Sequence, residues 1–554
     1  MTSASPAARA GATRLVGAAA LIAALTVASR LAGFGRTAVF AWSVGPTALG
    51  DIYTAANTVP NIIFEIVAGG ALASLVVPLL AGAVAAGDRA AVSATTSALL
   101  SWTLGLLIPL AVLVAVAAGP IIGLLAGDAS PDQVDAGARM LRLFAPQLPL
   151  YGVAVVLTGV LQAHHRFAWP VVAPLLSSVT VIGTYLAFAV TEGRLADLPG
   201  VGAAGQALLA VGTTAGVAVL SLCLFVPLRR LRLRLRPGLR FTGAARERVG
   251  ALAAAGAVTV GTQQVALLVA VRLSLAGDPP SGSVVLFTLS YTVFLLPWSV
   301  LAVPLATAAY PTLVATHGSG DLSGYRSTLA PAVRTVLLSS CLGTAVLVAV
   351  RDPVAAFLVP ADQAGALASG IAGFAPGLIG YGLFAVCSRA LYAAGRPAPA
   401  AAAVAAGWCG VAGSAVLLAA ALPDDHRVLA LALANSLGMV VMATLLVGAL
   451  RHSAGAGALA GFSWALATGL TASVAAAAAG HAVAYLCGAG SATLTVPAAV
   501  LQGILSGAVT VTVFLAVALA LDGRDLRPLL TGVVRRVRRR TSGVSPDRKG
   551  TGWR

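Results

Sequence analysis

Charged residues are what this sequence has least of. Aspartate, glutamate, lysine and arginine together make up 10% of its 554 residues, whereas hydrophobic residues make up 58%. Lys549 is the only lysine in the chain. A mean hydropathy of +0.93 excludes an ordinary soluble domain, in which about a quarter of the residues are charged. The composition therefore predicts a polytopic membrane protein.

The sequence also has few residues of the kinds that hold metals or nucleotides. Its five cysteines are scattered through apolar segments without a CxxC pair, and its six histidines have no acidic partner at metal-ligand spacing. It contains no GxxxxGK[ST] nucleotide-binding loop. We therefore expect no cofactor and no metal, and we expect any energy for transport to come from the membrane potential or an ion gradient.

Long apolar runs are what the sequence has most of. About fourteen of them reach the length of roughly 20 residues that crosses a bilayer as a helix. This pattern predicts an all-α fold of about fourteen transmembrane helices. The runs lie near residues 14–44, 51–82, 92–124, 138–163, 169–191, 202–227, 248–276, 283–314, 328–350, 364–392, 397–421, 427–450, 459–486 and 493–521.

The net charge of +17 would suggest nucleic acid as a partner in a soluble chain. Here, however, the arginines gather in alternate loops, at Arg89, Arg166 and 229–248, and in the tail at 535–540. The intervening loops, such as 128–135, are short and acidic or neutral. This is the asymmetry of the positive-inside rule, so we expect both termini in the cytoplasm and no nucleic-acid partner.

A faint internal repeat divides the chain. Residues 161–166 and 391–396 share leucine, alanine and arginine at one constant offset, and Pro78 and Pro311 stand in similar strings. The matched helices are six apart, which predicts two parallel six-helix lobes; chance similarity is the alternative, because the matches are short. The predicted parts are an N-terminal lobe at 1–227, a basic cytoplasmic linker at 228–247, a C-terminal lobe at 248–450, two further helices at 451–521 and a basic cytoplasmic tail at 522–554.

Four ionisable residues stand inside or at the edge of the first two apolar runs: Arg30, Arg36, Asp51 and Glu65. Such a group costs about 2.5 to 3.5 kcal/mol at the centre of a membrane helix, so it usually faces a wet cavity or a ligand. Arg30 and Arg36 are separated by roughly 120° around a helix and about 9 Å along it, so both can line one cavity. Because guanidinium groups bind phosphate oxygens well, the pattern predicts an anionic ligand held within the membrane. The alternative is that an arginine snorkels or pairs with Asp51 or Glu65 simply to be tolerated.

The string Ser-Arg-Leu-Ala-Gly-Phe-Gly-Arg at 29–36 resembles the SRxxGFxR signature of the MurJ/MviN family, the lipid II flippases of peptidoglycan synthesis. Further segments are similar to other sequence motifs of the family. Asp51 is similar to its D, 57–61 to its LPN, 69–71 to its EGA, 77–78 to its VP and 166–174 to its RFxxP…AP motif. Residues 296–313 and 392–397 are similar to motifs further along the family's sequence. The resemblance covers roughly residues 14–450.

The resemblance implies a transporter of the bacterial inner membrane that performs no chemistry on its substrate. That substrate would be an undecaprenyl-pyrophosphate-linked disaccharide-pentapeptide, moved from the inner to the outer leaflet by alternating access. The two lobes would enclose a cationic cavity, and the last two helices would form an apolar groove for the lipid tail. Arg30 and Arg36 match the family's cavity arginines, and Asp51 matches its second-helix acid.

Three positions depart from the family's pattern. Thr37 stands where the family usually has aspartate, and Glu65 and Thr292 stand where it has arginines. Glu65 either lowers the positive charge of the cavity or holds one of its arginines in place. Arg272, near the outer end of the seventh helix, either supplies a displaced cavity charge or snorkels to water. The candidate substrate-binding residues are therefore Arg30, Arg36, Asp51, Glu65 and Arg272.

Two other functions remain open from the sequence. The chain could export a different polyprenyl-linked glycan or a small molecule on the same fold, because two of the usual cavity cations are missing. It could also be a transport-inactive scaffold that recruits cell-wall synthesis or division proteins through its basic tail. The expected partners are thus a lipid-linked cell-wall precursor, membrane lipids and, in the scaffold reading, proteins of wall synthesis or division.

Overall fold

The computed structural model describes residues 6–67, 73–127, 129–238, 245–277, 280–488 and 495–522. The predicted all-α class is confirmed: the structure is 87% helical, and its described residues form no strand. The predicted tail from 523 onward, the motif residues 69–71 and the linker residues 239–244 lie outside the described residues.

The first half of the chain contains ten helices within its described residues. They are α1 (Pro6–Ser43), α2 (Ala48–Glu65), α3 (Ala73–Ala85), α4 (Arg89–Val116), α5 (Ala118–Ala126), α6 (Pro131–Phe144), α7 (Gln147–Ala163), α8 (Ala168–Thr191), α9 (Ala203–Leu222) and α10 (Phe225–Arg229). Polar side chains start several of them, because the first N–H groups of a helix have no partner inside it. The Thr47 hydroxyl accepts the N–H of Gly50 at 3.1 Å, and the Asp88 carboxylate accepts that of Ala91 at 2.9 Å.

The described residues of the second half form another ten helices. They are α11 (Ala245–Ser274), α12 (Ser283–Pro297), α13 (Val303–Gly318), α14 (Leu322–Leu358), α15 (Ala361–Phe374), α16 (Gly377–Ala393), α17 (Pro397–Ala421), α18 (Arg427–Ala454), α19 (Phe462–Leu486) and α20 (Val496–Leu521). A π-helical turn at Trp298–Ala302 joins α12 to α13.

Ten helical stretches among the described residues are long and apolar enough to cross a membrane, or eleven if the bent pair α15 and α16 counts as one span. Helix α1, the pair α2 and α3, and helix α11 coincide with three further apolar runs of the sequence. The predicted count of fourteen stays a prediction.

Helix packing separates two groups. In the first half, α8 packs on α1 and α9, and α7 packs on α3 and α4; in the second half, α18 packs on α15, α16 and α17. Close approach of α17 and α18 depends on Gly438, where a Cβ would collide with Val411, as small residues commonly allow in membrane bundles. Helices α19 and α20 pack on each other and on α14. The exact domain boundaries stay predictions.

The two groups repeat one structural pattern at an offset of 230 residues. Helices α6 and α7 break at Phe144-Ala145-Pro146, and α15 and α16 break at Phe374-Ala375-Pro376. The same offset relates Tyr151 to Tyr381, one turn into each second helix. The faint repeat seen at 161–166 and 391–396 has this offset too, so it continues over both broken helix pairs.

The first part of the basic linker runs along α4 in an extended conformation. Three backbone N–H groups donate to three serine hydroxyls of that helix: Arg234 to Ser93 at 3.2 Å, Arg236 to Ser97 at 3.1 Å and Gly238 to Ser101 at 3.2 Å. Four helical residues rise about 6 Å and two extended residues about 6.6 Å, so the two spacings match. The linker is therefore attached to the first half of the chain as far as residue 238.

Candidate substrate cavity

The two groups of helices meet at one end of the molecule through Asp51, in the first turn of α2. Its side chain is only 5% exposed. Oδ2 accepts the N–H of Gly282 at 2.7 Å, and Oδ1 accepts that of Val285 at 3.0 Å. These groups begin α12, where no intrahelical carbonyl can satisfy them. Asp51 therefore caps a helix of the other half of the chain.

Two more contacts join the halves at the same place. The side-chain amide of Gln363 donates to the carbonyl of Pro46 at 2.9 Å. Gly282 has a φ of +94°, and a Cβ there would collide with Pro46, so only glycine permits this close approach. We call these contacts of Asp51, Gly282, Val285, Gln363 and Pro46 the latch. A role of Asp51 in substrate binding stays a prediction, since its carboxylate is occupied by the latch in this conformation.

Arg30 and Arg36 both expose their side chains on α1. Among the described residues, no ion pair within 4 Å links either of them to Asp51 or Glu65. In this conformation, therefore, internal pairing does not account for either arginine. Both guanidinium groups are free of these carboxylates to meet an anionic ligand.

A cluster of tyrosines lies near Arg36. The hydroxyl of Tyr53 is 2.9 Å from that of Tyr185 and 2.6 Å from that of Thr213. The ring of Phe40, one turn after Arg36, stacks on Tyr53 with centroids 5.5 Å apart. The same ring lies 5.2 Å from that of Tyr185, between centroids. This network ties α1, α2, α8 and α9 together and so fixes the helix that carries the arginine.

Glu65 ends α2 and lines a cavity of about 300 Å³ between that helix and α11, α12, α16, α17 and α18. One turn earlier, the Asn61 side chain accepts a hydrogen bond from the Tyr151 hydroxyl at 2.9 Å. The Phe64 ring packs on Tyr151 with centroids 4.3 Å apart. The structure thus ties the end of α2, which carries Glu65, to Tyr151 of α7.

The opposite wall of the cavity is aromatic and amide-bearing. The Tyr381 ring lies 4.8 Å from Trp298 and 6.4 Å from Trp408, measured between centroids. Gln263 and Asn435 add side-chain amides to this wall. The aromatic residues of this wall were not predicted from the sequence, because a buried aromatic residue in a membrane helix looks like ordinary packing. The 230-residue offset between Tyr151 and Tyr381 is the signal that could have found it.

Arg272 lies elsewhere. Its guanidinium packs against Gly127, which follows α5 with a φ of +58°. Nη1 is buried and has no hydrogen-bond partner among the described residues. The structure does not bring Arg272 to the described lining of the cavity. Its role as a displaced cavity charge therefore stays a prediction.

The polar groups around the cavity suit recognition of a ligand. Within the described ranges, no three histidine, cysteine, aspartate or glutamate side chains come together as a metal site would require. Glu65 is instead presented beside the amides and aromatic rings that line the cavity, whereas Arg30 and Arg36 are exposed on α1 and are not part of its described lining. A helical membrane protein with a cavity between two repeated halves, closed against each other at one end, has the architecture of an alternating-access transporter.

Comparison with known proteins identifies the family. The family model for the lipid II flippase MurJ matches residues 40–515, and the chain belongs to this family. It is therefore a multi-pass membrane protein of the bacterial inner membrane, in a family of transporters. The family membership expected from the string at 29–36 is confirmed.

Individual relatives agree. A probable lipid II flippase MurJ of Synechocystis sp. is 29% identical over 224 residues, which are 39% of this chain and 41% of that protein. The lipid II flippase MurJ of Burkholderia cenocepacia is 26% identical over 165 residues, 29% of this chain and 32% of that protein. The alignments thus span less than half the length of these relatives.

Solved structures show the same fold. A lipid II flippase MurJ in an inward closed conformation has a TM-score of 0.71 at 18% identity and covers 91% of this chain and 99% of its own. An inward-facing multidrug resistance transporter of the MATE family has a TM-score of 0.60 at 14% identity, with 79% and 94% covered. The architecture is therefore shared with transporters of more than one kind.

Proposed function

We propose that this protein moves lipid II, an undecaprenyl-pyrophosphate-linked cell-wall precursor, from the inner to the outer leaflet of the cytoplasmic membrane. The observation that carries the proposal is the family match over residues 40–515. Arg30 and Arg36 support it, since both are exposed and neither has an ion pair within the described part of the chain, and a lipid-linked pyrophosphate needs a cationic site within the membrane.

In this proposal the protein works by alternating access. Both termini lie in the cytoplasm, as the arginine-rich loops indicate, so the latch lies at the outer face. With the latch closed, the substrate enters from the inner leaflet and its pyrophosphate meets Arg30 and Arg36. Opening of the latch, with closure at the opposite end, then delivers the headgroup outward.

The remaining parts follow from the predicted domains. Helices α19 and α20, within 451–521, would hold the lipid tail along their exposed apolar faces. The substrate is moved without chemical change, and the membrane potential or an ion gradient supplies the energy. Contacts with wall-synthesis or division proteins would fall to the basic tail at 522–554.

A replacement experiment tests the function. A bacterium whose own flippase can be depleted is supplied with this chain, and lipid II in the outer leaflet is measured after depletion. Survival with outward lipid II is the expected result. Death of the cells, with the protein correctly inserted and abundant, would contradict the proposal and favour a changed substrate or the scaffold function.

One observation favours a second candidate, an exporter of a different polyprenyl-linked glycan. Glu65 and Thr292 stand where the resemblance expects arginines, and Glu65 lines the cavity. A cavity with fewer cations suits a headgroup with less negative charge. Competition between lipid II and other polyprenyl-linked glycans for the purified protein separates the two candidates.

A further inference from the structure

The cavity contains oxygen atoms that need a donor. Of the described residues that line it, Glu65 alone carries a formal charge. Its carboxylate has no ion-pair partner within 4 Å among the described residues. Asn435 is 5% exposed, and its buried Oδ1 has no hydrogen-bond partner there either. A buried acceptor without a donor is costly, so Asn435 indicates a ligand that donates hydrogen bonds, and the exposed carboxylate of Glu65 is accessible to the same ligand.

The wall facing Glu65 consists of aromatic rings. Tyr291 and Tyr381 line the same cavity as the Glu65 side chain. The indole N–H of Trp298 already donates to the backbone carbonyl of Tyr381 at 3.1 Å. Trp298 therefore offers the cavity its ring and no free donor. Electron-rich ring faces attract cations, most strongly when water is excluded.

We propose that this cavity binds an ammonium group. An ammonium donates three hydrogen bonds, its charge compensates that of Glu65, and the surrounding rings stabilise it. A neutral sugar would satisfy Asn435 but would leave the charge of Glu65 without a counter-charge among the described residues that line the cavity. The sequence departure at Glu65, an acid in place of an arginine, thus specifies a cation site.

The inference rests on the proposed function and deepens it. The peptide of a lipid-linked precursor carries a free ammonium wherever it contains a diamino acid. Arg30 and Arg36 would then receive the anionic end of the headgroup, while Glu65 and Asn435 receive its cationic end. The headgroup is in this way held at both ends.

Equilibrium binding to the full-length protein in phosphatidylcholine nanodiscs tests the inference. The probes are lipid II with lysine in its peptide and the same lipid with that lysine acetylated. We expect wild type to bind the free amine about tenfold more tightly. Glu65→Gln should bind both lipids equally, at the affinity of wild type for the acetylated form. Asn435→Leu, of similar size, should reduce the preference too. Asp135→Asn removes an exposed acid far from the cavity and should keep the full preference.

The outcomes separate the claims. Equal binding of both lipids by wild type, with no Glu65-dependent binding of a simple alkylammonium, would overturn the ammonium site and leave the proposed function standing. If neither lipid bound, the proposed function and the ammonium site would both be contradicted. A third probe, n-pentylammonium, tests whether the ammonium group that binds here belongs to a free organic cation instead of the lipid headgroup. If it bound in a Glu65-dependent manner while the two lipids did not differ, the site would belong to small organic cations and the link to the headgroup would be overturned.

Discussion

Asp51→Asn should open the latch. The carboxylate accepts two backbone hydrogen bonds from the start of α12, at 2.7 and 3.0 Å. Asparagine keeps one acceptor oxygen but loses the charge and the second bond, which costs about 1.5 to 3 kcal/mol for a charge-assisted contact. The ratio of latched to unlatched protein should therefore fall roughly 10- to 150-fold. If about 1% of wild type is unlatched, the variant should be about 10 to 60% unlatched by the same conversion.

Distances between nitroxide labels measure this shift. Asp132 and Asp362 occupy equivalent positions in the first turns of α6 and α15, one in each half of the chain. Labels on cysteines at these positions, with the five native cysteines replaced, should give one distance in wild type and a second, longer one in Asp51→Asn. Asp197→Asn is the control, because that carboxylate accepts N–H groups of Leu49 and Leu198 only within the first half. An unchanged distribution in Asp51→Asn would refute the reasoning.

Three further predictions concern charge and packing. Alanine at Arg30 or Arg36 should abolish export at normal protein abundance, since each variant loses a contact to pyrophosphate worth about 1.5 to 3 kcal/mol. The amount of lipid II in the outer leaflet measures export. Export at the wild-type rate by both variants would contradict the cationic site. Arg272→Ala should leave lipid II affinity unchanged and lower the free energy of unfolding by about 1 kcal/mol, because the Arg272 cation lies at the end of a helix. A loss of lipid II affinity without a loss of stability would instead show that Arg272 contributes to the substrate cavity. Gly438→Ala should destabilise the protein by about 1 to 3 kcal/mol through overpacking, whereas Gly413→Ala, which meets nothing within 4 Å, should melt like wild type.

Much of the fold can be predicted from the sequence because a bilayer leaves the backbone few choices. An apolar run of 20 residues must satisfy its own N–H and C=O groups, so it forms a helix. The exposed arginines at 30 and 36 were predictable for the same reason, since a charge in such a run has to find water or a ligand. The number of spans and the domain boundaries depend on breaks and bends that hydropathy does not register.

The contacts between the halves were not predictable. The latch joins Asp51 to residues more than 230 positions away, and no local sequence pattern predicts a partner at that separation. Asn435 was missed for a different reason. A polar residue in a membrane helix more often bonds to a neighbouring helix than faces a cavity. Only the folded structure reveals that the Oδ1 of Asn435 has no partner among the described residues.

The repeat explains how the latch acquires one of its bonds. In the first copy, Gln133 is bound within its own helix start, because its side chain accepts the N–H of Ser130 at 2.9 Å. The equivalent of Ser130 at the same offset is Pro360, the residue that precedes α15. Proline has no N–H to donate, so Gln363 cannot form the local bond that its counterpart makes. Its side chain is left free to reach across to Pro46. One serine-to-proline difference between the two copies thus turns a local helix cap into a contact that holds the two halves together.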